Sequence, residues 1–98
     1  MSVRLGVLAT LDAKPSKGDE LASFLEKARV LAVAEEGTVT WYAFKISDTS
    51  YGVFDTFETN DGLQAHIGGE IPRALGQVGP ALLASDPSIR TIEIIAVK

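Results

Sequence analysis

The side chains of this 98-residue chain best equipped for chemistry are its one histidine, His66, and Asp55, which stands in a run crowded with rings. Trp41, Tyr42, Phe44, Tyr51, Phe54 and Phe57 all fall between Thr38 and His66. An imidazole takes or gives a proton near neutral pH, so His66 is a candidate general base. It is equally readable as a half-buried histidine packed at the edge of a short helix. A carboxylate at Asp55 is costly to bury without a partner. That partner is His66 or a substrate hydroxyl in one reading, and Arg4, Arg73, Arg90 or a backbone amide in the other. Trp41, Tyr51 and Phe54 are candidates for the wall of a pocket that takes a flat apolar ligand. Alternation along a strand sends Trp41 and Tyr42 to opposite faces, and divides Tyr51 from Phe54, so the rings must be shared between a pocket and a packing surface. Arg73, just after Pro72, can stabilise an oxyanion or stand as a solvated helix-surface arginine.

Other chemistries are poorly served. His66 and Glu70 are spaced as metal ligands on a helix, but one histidine, no cysteine and the glycines between them speak against a metal site. Gly68-Gly69 and Gly76 with Gly79 lack the setting of a dinucleotide loop, and no phosphate loop occurs. The net charge is −4, and the nine basic residues form no stripe, which argues against nucleic acid as a partner. No apolar run approaches the roughly 20 residues of a membrane span. The start, Met1-Ser2-Val3-Arg4, lacks the layout of a secretion signal, and the absence of cysteine agrees with a reducing compartment, so a cytoplasmic location is expected.

The elements that must position these side chains follow from periodicity. Alternation over Val3–Leu11 predicts a strand, and Ala13 to Gly18, with Pro15, a loop. Leu21, Phe24, Leu25, Ala28, Leu31 and Ala32 recur at helical spacing, which predicts an amphipathic helix from Asp19 to about Glu35, ended by Gly37. Thr38–Ile46 and Tyr51–Phe57 read as a hairpin across the polar turn Ser47-Asp48-Thr49-Ser50. Thr59 or Asn60 can cap a short helix over Asp61–Ile67, which Gly68 and Gly69 should break. A further helix is expected from Pro72 to Leu83, interrupted at Gly79-Pro80, before a last strand at Ile89–Val97.

The order is strand, helix, strand, strand, helix, strand. This is the split βαβ arrangement of ferredoxin-like α+β domains, one domain over residues 1–98 with a four-stranded antiparallel sheet and its helices on one face. Large apolar residues fall on both faces of the strands. A monomer would expose more of them than soluble monomers usually do, so two copies should pack sheet to sheet as a homodimer.

The whole pattern resembles the antibiotic biosynthesis monooxygenase superfamily of dimeric α+β barrels. The likeness rests on Lys14-Pro15-Ser16-Lys17-Gly18 before helix one, Glu36-Gly37 before strand two, Phe54-Asp55-Thr56-Phe57 ending strand three, and Ala65-His66 in the next helix. The resemblance implies oxidation of a small aromatic substrate such as a quinol or anthrone by molecular oxygen, without metal or flavin. His66 would be the base and Asp55 an orienting group. The family often carries glutamate and tryptophan where this chain has Asp55 and Phe57. The haem-degrading branch uses an asparagine in strand one that Val3–Leu11 lacks, which argues against haem degradation. A non-catalytic dimeric module that binds a small hydrophobic molecule or serves a stress response is the alternative.

Overall fold

A computed structural model describes residues 3–98. Met1 and Ser2, part of the N-terminal reading above, lie outside the described residues. The elements run β1 (Leu5–Asp12), α1 (Gly18–Ala34), β2 (Thr38–Lys45), β3 (Ser50–Phe57), α2 (Asn60–Ile67), α3 (Glu70–Leu82) and β4 (Ser88–Glu93). The strands form one antiparallel sheet in the order β2-β3-β1-β4, with the helices on one face: a ferredoxin-like fold.

Register decides which residues share a face. One row across the sheet reads Trp41, Asp55, Val7 and Thr91, and the next reads Tyr42, Phe54, Leu8 and Arg90. Side chains alternate along a strand, so the first row belongs to the helix side and the second to the outer side. Burial agrees: Val7, Leu11, Tyr51, Val53, Asp55 and Phe57 are buried, whereas Tyr42 and Phe44 are exposed. Helix α1 lays Leu21, Leu25, Ala28 and Ala32 over that inner face, the stripe its periodicity predicts. The core falls into clusters around Leu11, Leu21 and Tyr51, around Val7, Phe57 and Leu63, and around Ala28, Ala32 and Ile71.

Three boundaries differ from expectation by two residues or more. Strand β1 begins at Leu5 rather than Val3, and β4 ends at Glu93 rather than Val97. The Ile94 amide still reaches the Arg4 carbonyl at 2.8 Å. Ile95 and Val97 are exposed despite their apolar alternation. Helix α3 starts two residues before Pro72, capped by Gly69, and continues through Pro80 without a break. Pro80 falls in the last turn, where few helical bonds remain to be lost. There the Lys14 ammonium donates to the Pro80 carbonyl at 2.6 Å, and the Leu83 amide reaches Gly79 at 2.8 Å. Among the described residues no helix is long and apolar enough to cross a membrane.

Candidate functional site

Helix α2 is short, and its sequence explains its placement. The Thr59 hydroxyl accepts from the Gly62 amide at 3.1 Å, a side-chain cap, and Leu63 and His66 form its buried side. His66 stands in the last turn, where the helix dipole favours a cation. Its ring lies 5.4 Å, centroid to centroid, from that of Phe57, on the inner face of β3.

Both ring nitrogens of His66 are engaged. Nδ1–H donates to Glu35 Oε1 at 2.7 Å, and Nε2–H donates to Asp55 Oδ2 at 2.8 Å. A carboxylate only accepts, so a ring that serves two of them carries both protons and is an imidazolium. Burial works against that charge, but the hydrogen bonds the ring donates to Asp55 and Glu35, and the charges of those two carboxylates, outweigh it and raise the His66 pKa above 6.5. Asp55 is 1% exposed and His66 7%, so this pair is shut away from solvent. Glu35 is more open, and its Oε1 also accepts from the Thr38 hydroxyl at 2.6 Å.

Of the two partnerships foreseen for Asp55, the structure realises the one with His66. Its other oxygen, Oδ1, is buried with no hydrogen-bond partner. So is the indole Nε1 of Trp41, the residue paired with Asp55 across β2 and β3. Trp41 and Tyr51 also line a groove of about 410 Å³ between α1 and β2, together with Ala22, Leu25, Arg29 and Phe44. The groove is largely apolar in its walls and open at one side, a fit for a small flat ligand.

Two candidates are not brought there. Phe54 lies on the outer face of the sheet, because the same alternation that turns Asp55 inward turns its neighbour away. Arg73 stands exposed on the first turn of α3, 3.5 Å from Glu70, a solvated pair on that helix surface. Sequence reasoning missed Glu35, taken only as the end of α1. A carboxylate at a helix C-terminus sits at the unfavourable end of the dipole, which is a signal that it needs a cation nearby.

What sets the distance from α2 to Glu35 is a contact between two glycines. A Cβ on Gly62 would lie 2.9 Å from the Gly37 carbonyl oxygen, and one on Gly37 would lie 2.7 Å from the Gly62 Cα. Backbone cannot yield as a side chain can, so Gly62→Ala should push α2 off β2 and cost about 2 kcal/mol. It should also weaken the His66–Glu35 bond and lower the His66 pKa. Thermal denaturation measures the first effect. An NMR titration measures the second without ambiguity, since the chain has one histidine.

No family model matches the chain, and no curated protein matches it. Solved structures do. A Nitrosomonas europaea protein of unknown function is 42% identical, with 98% of this chain and 93% of that one aligned at a TM-score of 0.95. A Caulobacter crescentus protein provisionally named an antibiotic biosynthesis monooxygenase is 25% identical, over 96% of this chain and 92% of its own, at 0.78. A second Nitrosomonas europaea protein, with the same provisional name, is 11% identical at 0.81 over 94% and 90%, a likeness of fold.

Proposed function

We propose that this chain is a member of the antibiotic biosynthesis monooxygenase superfamily, a reading its likeness to the Caulobacter crescentus protein supports, and that it oxidises a small aromatic substrate such as a quinol or anthrone with molecular oxygen and no bound cofactor. The observation that carries this reading is the buried cluster of Glu35, His66 and Asp55, set one cross-strand neighbour away from the ring that walls the groove. The substrate lies in the groove against Trp41 and Tyr51 and gives its phenolic proton to the cluster. Asp55 is the base that meets it, because both nitrogens of His66 are already spoken for. His66 acts through Asp55: its positive charge holds the carboxylate and offsets the cost of keeping it buried. The deprotonated ring is electron-rich enough to reduce oxygen. One oxygen atom is added to a ring carbon as a carbonyl, and the other leaves as water with the hydrogens the substrate has lost.

An oxygen electrode tests this directly. With a panel of quinols and anthrones and no added metal or flavin, at least one should consume oxygen in proportion to substrate. Failure with the whole panel would leave the chain as a binding module of the same fold.

The outer face of the sheet supports a homodimer. Tyr42, Phe54 and Leu8 form one continuous apolar row, with Phe44 and Ile92 beside it. Tyr42 is 59% exposed and Phe44 36%. A second copy would bury this face, as its apolar area requires. Tyr42→Glu or Phe44→Glu should convert the dimer to a monomer in sedimentation equilibrium. A wild-type chain that sediments as a monomer would remove the dimer.

A further inference from the structure

The two buried polar atoms left without partners are complementary. Asp55 Oδ1 accepts and cannot donate, and Trp41 Nε1 donates and cannot accept. They belong to directly paired residues on the same face of the sheet. An unsatisfied buried group is costly, and two of opposite kind on paired residues mark a place for one small group that does both. A hydroxyl is such a group: it donates its proton to the carboxylate and accepts from the indole N–H.

We propose that Asp55 Oδ1 and Trp41 Nε1 form a hydroxyl-binding subsite that selects aromatic ligands carrying a free O–H, reached from the groove when the Trp41 indole turns aside. This deepens the reading above and rests on the groove being the place where the aromatic ligand lies. Trp41 is the element common to both sides, since it lines the groove and stands opposite Asp55. Both atoms are closed to solvent, so entry requires that ring to shift. In the closed position Asp55 is shielded from water. The open one gives a hydroxyl both its partners, while a ligand without an O–H leaves Asp55 Oδ1 unpaired. The selectivity therefore concerns the proton donor. An ether or a fluorine of similar size cannot replace it.

The test compares p-cresol with 4-fluorotoluene, which differ in the O–H and little in size. Calorimetry on the wild-type chain should show p-cresol binding about tenfold more tightly, the effect of one hydrogen bond to a charged acceptor. Trp41 is the only tryptophan, so its fluorescence should change on p-cresol binding. Trp41→Phe keeps a ring and removes the N–H, and should cut the preference to about twofold while 4-fluorotoluene binds as before. Asp55→Asn, measured the same way, should also reduce it. Equal binding of the two ligands by the wild type, no binding of either, or a full preference retained in Trp41→Phe would each overturn the subsite. Oxygen uptake with quinols but no hydroxyl preference would remove the subsite and leave the proposed reaction. A hydroxyl preference with no oxygen uptake would do the reverse.

Discussion

Replacing His66 with alanine should destabilise the fold by about 3 kcal/mol or more, because it removes the cation and leaves two carboxylates facing one another, one of them fully buried. Urea denaturation near neutral pH measures it. The same cluster makes the stability of the wild-type chain depend on pH in a definite direction. The His66 pKa is raised in the folded state above its ordinary 6.5. Its contribution is therefore fully present below that value, and it declines as pH rises through the raised folded value. Above it, one ring nitrogen presents a lone pair to a carboxylate. His66→Ala should flatten this alkaline decline in midpoint. A variant that loses stability but keeps the decline would place its origin elsewhere.

Asp55→Asn is expected to lower kcat/KM with the best quinol by about a hundredfold, the scale of a lost general base. Asparagine is close to aspartate in shape and still offers an oxygen to His66 Nε2–H, so the fold should suffer less than in His66→Ala. The distinguishing measurement is the His66 titration. Without the Asp55 charge, and with a neutral acceptor in place of the carboxylate, burial is less strongly opposed, so the pKa should fall. A lowered pKa together with unchanged turnover would show that Asp55 serves only to hold the histidine. Loss of turnover together with the shift supports its place as the base.

Much of the architecture was legible in the residues because helices and strands write their periods locally. Leu21, Leu25, Ala28 and Ala32 announce α1 and its buried side, and the polar turn between Ile46 and Tyr51 announces the hairpin. The ends of elements were harder to read. The apolar alternation past Glu93 predicts strand, yet pairing is a property of two segments, and alternation in one of them cannot establish it. Pro80 is a breaker in most helices, but its cost depends on how many turns follow it.

The site divides in the same way. Residue type and neighbourhood were enough to single out His66, Asp55, Trp41 and Tyr51, since a lone imidazole and a carboxylate among rings are conspicuous on chemical grounds alone. The sequence by itself thus determined the fold class, the inner stripe of α1 and the presence of a titratable pair beside aromatic walls. Only the tertiary structure decided that Glu35 joins the pair, that Phe54 faces away from it, that Arg73 stays in solvent, and that Trp41 and Asp55 stand side by side with a donor and an acceptor unused. The reason is physical. Those facts depend on sheet register and on how closely α2 approaches β2 at Gly37 and Gly62, and both are set by contacts between segments far apart in the chain.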